Sequence, residues 1–317
     1  MKIAYLISTY KDPKQLHRMI KALYCKDTYF FIHIDAKVDI KDFSSTFASL
    51  PQECKIKLTD RRFYVQWGGW NQVNYQKELL KSCIISGVKF ERVFILTGQD
   101  YPLFSNSRIE EQLCKYPQKE YIKGLNLSVI TSQKKVLNRI VLYHYCRDLR
   151  VPYKIKKIFS FGCRIIMKLL PIRKKSYIMI DGQHYDVYMS SSYMCLTYDC
   201  AKYVYEEMCA NKKLMKYFRW SFVPEEMVIS TIIFNSRFKE SATTINGIYR
   251  GLKNLSSVTY FNYDKTIHVF TIDDYKELKE SDMMFARKMQ TGISDSLMDI
   301  IDEERKETCI DSVIQRP

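Results

Sequence analysis

The chain reads as an α/β protein built on a parallel sheet, and three stretches predict it. Residues 2–8 and 29–35 are short apolar runs rich in β-branched and aromatic side chains, the composition of strands buried on both faces. Between them, residues 12–24 repeat Leu16, Met19, Ile20 and Leu23 at helical spacing. Strand, helix and strand at this separation form a parallel βαβ unit. A further buried run at 92–96, Arg-Val-Phe-Ile-Leu, is read as a third strand.

Each element has a local cause. Asp12-Pro13 is a good helix start, because Asp can cap and proline lacks the N–H that a first turn leaves unpaired. The 29–35 strand ends in Asp35. In open α/β sheets ligands bind beyond the carboxyl ends of strands, so Asp35 is placed where a nucleotide could lie; it could equally cap a turn. Residues 65–70, Val-Gln-Trp-Gly-Gly-Trp, read as a turn carrying Trp67 and Trp70, and 71–85 as the helix that follows. The 92–96 strand runs into Thr97-Gly98-Gln99-Asp100-Tyr101-Pro102, where an α/β enzyme exposes functional groups. A helix is expected at 107–115, a strand at 188–197 and a helix at 198–208. Strands are expected at 258–261 and 268–271, with a short helix at 273–279. Residues 281–289 close the ordered part, and the polar, acid-rich 292–317 reads as a surface helix and tail.

Composition sets limits. A chain of 317 residues, 46% hydrophobic with only 10 Gly and 8 Pro, buries a large core and is not disordered. Its 24 Tyr offer flat faces with a hydroxyl, suited to sugar or base contacts or simply to the core. The ten Cys form no Cys-x-x-Cys pair, which argues against a zinc knuckle or a redox dithiol. The opening apolar run is too short for a signal peptide or membrane span, so a cytoplasmic protein is expected. No P-loop and no Gly-x-Gly-x-x-Gly is present. No Asp-x-Asp occurs either, so the usual metal clamp for a nucleotide diphosphate is missing from the sequence.

The net charge of +15 is concentrated in one place. Residues 133–176 hold thirteen Lys and Arg against one acid, Asp148. Within that segment, 153–170 interleave cations with Ile155, Ile158, Phe159, Phe161, Ile165, Ile166, Leu169 and Leu170. The pattern fits a helix lying in an anionic membrane surface. Nucleic-acid binding and a loop packed on the protein are the rivals; the bulky apolar residues favour membrane over nucleic acid.

The candidate for chemistry is 220–231, Trp-Ser-Phe-Val-Pro-Glu-Glu-Met-Val-Ile-Ser-Thr. Pro224 is expected to open a buried apolar helix with Glu225 and Glu226 in its first turn. A carboxylate fixed by such a helix suits a general base, which must be rigid and still reach substrate. Acids are also common at helix starts for electrostatic reasons alone.

Several stretches together resemble the core-2/I-branching glycosyltransferase family, which includes β-1,6-N-acetylglucosaminyltransferases and peptide O-xylosyltransferases. They are 4–10, Phe31-Ile32-His33-Ile34-Asp35, Trp67-Gly68-Gly69-Trp70, 96–103, 191–197, 224–231 and Met284-Phe285-Ala286-Arg287-Lys288, in the family's order. The resemblance implies a GT-A fold: one catalytic domain over 1–291, with a nucleotide-sugar half (1–105) and an acceptor half (106–291), then a tail at 292–317. It implies an inverting, metal-independent transferase that needs no cofactor, taking a UDP-sugar donor (UDP-GlcNAc, with UDP-xylose as the alternative) and a glycan acceptor. Its Pro-Asp-Glu motif falls on Pro224-Glu225-Glu226, so Glu226 takes the place of the base and Glu225 replaces Asp. The two cations that hold the diphosphate map onto Lys288 and Lys265, Tyr260 falls near the acceptor sugar, and Asp35 and Asp100 fall in motifs that line the donor cleft. The acceptor side departs from the family and carries the basic cluster, which points to a lipid-linked glycan at the inner membrane face. A basic membrane- or nucleic-acid-binding protein without catalysis is the reading from another class; it leaves Glu226 and Lys288 unexplained.

Overall fold

In the computed structural model the described residues are 1–314, except 131, 171, 264 and 265. The chain opens with β1 (Ile3–Thr9), α1 (Pro13–Leu23) and β2 (Thr28–Ile34), the expected βαβ unit. There follow α2 (Lys41–Ala48), β3 (Lys55–Leu58), α3 (Asn71–Ile84) and β4 (Arg92–Thr97). The chain then leaves the first sheet: β5 (Asp100–Pro102) belongs to a second sheet and, after α4 (Asn106–Lys115), β6 (Lys123–Asn126) to a third. The basic segment forms α5 (Lys134–Val141) and α6 (Tyr153–Leu169). Next come β7 (Tyr177–Ile180), β8 (Gln183–Asp186), β9 (Tyr188–Met189), β10 (Met194–Thr197), α7 (Tyr198–Ala210) and α8 (Lys212–Phe218). The remainder is α9 (Val228–Phe234), β11 (Thr243–Ile245), β12 (Thr259–Phe261), α10 (Tyr275–Glu280), β13 (Phe285–Arg287) and α11 (Asp295–Ile314).

The main sheet has the order β10-β4-β1-β2-β3. Strands β4, β1, β2 and β3 are parallel and β10 is antiparallel. Alternation along the strands divides the core. Ala4, Leu6, Phe31, Val93 and Ile95 belong to the core shared with α3, α7 and α9, whereas Tyr5, Ile7, Phe30, Phe94 and Leu96 belong to the other, with α1, α4 and α11. Tyr5 stacks on Phe30 and Phe94 with centroids 5.5 and 5.2 Å away, following the register Tyr5↔Phe30 and Tyr5↔Phe94. Each such pair contributes about 0.5–1.5 kcal/mol beyond its burial.

Three expectations are corrected. Residues 188–197 are two strands in different sheets: β9 pairs with β6, and β10 with β4. The break falls at Ser190, whose N–H donates to the Glu226 carbonyl. Residues 268–271 form no strand, although His268 and Phe270 exchange backbone hydrogen bonds with Lys288. The acidic C-terminal stretch is docked: Leu297, Met298 and Ile301 are buried, and Arg18 pairs with Asp299 and Asp302 at 2.6 and 2.8 Å.

Helix α6 stands out. Ile158, Phe159, Phe161, Ile166 and Leu169 are exposed, Leu169 by 81%. The helix read from the sequence is therefore present; Met167 is buried, while most of its other apolar residues are exposed.

Candidate active site

The carboxyl ends of β1, β2 and β4 open into a cleft of about 1040 Å³. Ser8 to Lys11, His33, Asp35 and Thr97 to Gln99 form its sheet side. Gly98 is needed there, because a Cβ at this position would lie 2.7 Å from the Thr9 hydroxyl. Asp35 both lines the cleft and caps a turn: its carboxylate accepts from the N–H groups of Lys37 and Val65 at 2.9 and 3.3 Å. Asp100 lies beneath the cleft rather than in its wall: it is fully buried, accepts from the Thr97 N–H at 2.6 Å and pairs with Arg287 at 3.4 Å. Its contact with the cleft is thus made through Arg287, which lines it.

The acid pair lines the same cleft. Pro224–Glu226 is a single 3-10 turn that precedes α9, not the first turn of that helix. Val223 enters the turn at φ 56°, and Met227 separates turn from helix. Every residue of α9 is buried, so the turn is anchored in the core. Ser190 N–H and the Ser230 hydroxyl both hydrogen-bond the Glu226 carbonyl, at 2.8 and 3.2 Å. The Glu226 side chain keeps 12% exposure and receives Arg139 of α5 at 3.1 Å. Burial pushes its carboxyl up to about 7, and Arg139 holds it from rising further. Glu225 is driven well above the usual carboxylate range, by burial first and by the charge of Glu226 second.

The cationic end is formed by Lys11, Arg287 and Lys288, all cleft-lining. Burial first, then the like charges of Arg287 and Lys11, lower Lys288 to about 8. Like charges brought this close make this part of the cleft electropositive. Arg287 ends strand β13, held by Thr97 and Asp100. Lys265, the other cation expected from the sequence, lies outside the described residues. Tyr260 is not in the wall: its hydroxyl is taken up by Lys253 at 2.6 Å and by Glu277.

The structure thus brings Glu225, Glu226, Asp35 and Lys288 to one cleft and leaves Asp100 and Tyr260 outside its lining. Two functional groups were missed in the sequence. Arg139 gives no local sign of facing Glu226, 87 residues on. Arg287 did give one, an Arg at the end of the apolar run 284–286.

A Rossmann-like mixed sheet whose strand ends open into a cleft lined by carboxylates and cations is the arrangement of an α/β enzyme with its site at the carboxyl ends of the strands. Residues 3–279 match the family model described as Core-2/I-Branching enzyme. The chain belongs to that family and is a glycosyltransferase. It is 21% identical to a zebrafish (Danio rerio) β-1,3-galactosyl-O-glycosyl-glycoprotein β-1,6-N-acetylglucosaminyltransferase 4, over 99% of this chain and 72% of the relative. It is 22% identical to rat (Rattus norvegicus) xylosyltransferase 2, over 95% of this chain and 33% of that protein, so it spans a third of the latter's length. Among solved structures, residues 1–349 of Staphylococcus aureus TarS in complex with UDP align over 76% of this chain and 68% of that one, with 10% identity and a TM-score of 0.34.

Proposed function

We propose that the protein transfers a sugar, GlcNAc ahead of xylose, from a UDP-sugar to a glycan hydroxyl, with inversion and without a divalent metal. The observation that carries this reading is that Glu226 and Lys288 line the same cleft. The Glu226 carboxylate takes the proton of the acceptor hydroxyl as its oxygen attacks the anomeric carbon. The bond from that carbon to the β-phosphate oxygen breaks on the opposite face, and the charge left on UDP falls to Lys288 and Arg287. Arg139 keeps Glu226 ionised and oriented. The names of the relatives, an N-acetylglucosaminyltransferase and a xylosyltransferase, support the two donors considered.

Assay of a panel of UDP-sugars, with and without excess EDTA, tests the proposal. Turnover with UDP-GlcNAc that survives EDTA is expected; complete loss restored by Mg²⁺ would refute the metal-free mechanism.

A second reading concerns the acceptor. Helix α6 presents exposed Ile158, Phe159, Phe161, Ile166 and Leu169 beside exposed Lys154 and Lys157, a composition suited to an anionic bilayer surface. No helix among the described residues is long and apolar enough to cross a membrane. We place the enzyme at the inner face of a membrane, acting on a lipid-linked glycan of surface polysaccharide or glycoconjugate synthesis. Flotation with phosphatidylglycerol vesicles should be salt-sensitive and lost in Phe159→Glu/Phe161→Glu; retention by neutral and anionic vesicles alike would refute it.

A further inference from the structure

Glu225 is a buried acid that the transfer chemistry above does not use. It is 4% exposed, it lines the cleft beside the base, and Gln72 of α3 hydrogen-bonds its carboxyl. Its Oε2 has no hydrogen-bond partner among the described residues. One turn on from Gln72, Gln76 lines the same wall at 1% exposure, and neither its amide nitrogen nor its oxygen has a partner among them. Buried polar atoms are almost always satisfied, and each one left unmade costs about 1–3 kcal/mol.

The two adjacent glutamates cannot both carry charge in this pocket. The charged groups facing them are Arg139 and each other, with Tyr75, Tyr193 and Tyr249 around them. Arg139 bonds Glu226 directly, so Glu226 holds the charge and Glu225 the proton. Environments that push paired carboxyls apart assign their roles. A neutral carboxyl has one O–H to donate, and no group among the described residues is seen to receive it.

We propose that Glu225 recognises the donor sugar, its carboxylic O–H donating to an oxygen of the pyranose carried by UDP, with Gln76 completing the same polar wall. This rests on the cleft being a UDP-sugar site. It gives a use to the residue in which Pro224-Glu225-Glu226 departs from the Pro-Asp-Glu of the family.

Isothermal titration with UDP, UDP-GlcNAc and UDP-xylose tests it. Glu225→Met keeps length and bulk but cannot donate; its affinity for whichever UDP-sugar the wild type binds more tightly is expected to fall about tenfold. Affinity for UDP itself should stay within twofold. Glu225→Gln, which retains an N–H donor, should hold UDP-sugar affinity within about threefold. Equal loss of UDP and UDP-sugar in Glu225→Met, no loss of either, or a Gln variant as weak as Met would each overturn the proposal. Failure of the underlying reading looks different, because the wild type itself would then bind neither UDP nor a UDP-sugar.

Discussion

The acid and the basic groups that line the cleft are held in opposite ways. At the acid end the base is matched within the chain: the Glu226 carboxylate to Arg139, and its backbone carbonyl to Ser190 and Ser230. At the basic end Lys11, Arg287 and Lys288 converge with one buried carboxylate, Asp100, set below them. A base must be tuned before substrate arrives, because its protonation state is needed at once. A site for a departing diphosphate must instead hold uncompensated charge, since a resident anion would compete with the guest.

The largest expected effect breaks the acid end. Glu226→Gln keeps shape but cannot accept a proton, and turnover should fall about 10²–10⁴-fold with UDP affinity preserved. Turnover within tenfold of wild type would remove Glu226 from the role of base. Next comes the basic end. Lys288→Met should weaken UDP binding by about 10–100-fold, the worth of a hydrogen bond to a charged group, with a shallower salt dependence than the wild type. An unchanged UDP affinity would mean that the crowded cations serve something other than the diphosphate.

A third experiment sharpens the contrast. Glu226 is raised to about 7, so the base is protonated below that pH and kcat/KM should fall as pH drops through it. Arg139 favours the charged form; without it the carboxyl rises further. Arg139→Gln should therefore move the acid limb upward by about one unit, with activity recovering at higher pH. Arg139→Lys should restore most of the original profile. A loss that is uniform across pH would make Arg139 merely structural.

How much of this was legible in the sequence follows from how local each cause is. Strands β1, β2 and β4 are written as continuous apolar runs, and α1 as a helical repeat with its cap, so the sheet that positions the cleft could be read directly. The 3-10 turn at Pro224–Glu226 could not, because it depends on Val223 adopting a left-handed conformation and on Ser190 meeting the Glu226 carbonyl. The same contact splits residues 188–197 between two sheets, where the pattern suggested one strand. Arg139 was counted as one cation of a membrane-facing segment, but α5 turns it inward while α6 faces outward. Charge density alone cannot tell these two roles apart. Asp100 was recognisable as special from its motif; that it lies beneath the cleft, against Arg287, required the pairing of β13 with β5.

The smallest effect is expected at Tyr260, and it tests where the comparison ends. The sequence placed this residue by the acceptor; the structure ties its hydroxyl to Lys253 and Glu277, both more than 40% exposed. Polar contacts that open to solvent are worth about 0–1 kcal/mol. Tyr260→Phe should thus lower Tm by no more than about 2–4 °C and leave kcat/KM within about threefold. A larger loss in kcat/KM at unchanged Tm would carry the acceptor past the cleft wall onto β12. The basic end would then hold both the departing diphosphate and part of the incoming glycan, and the division of labour between the two ends would have to be redrawn.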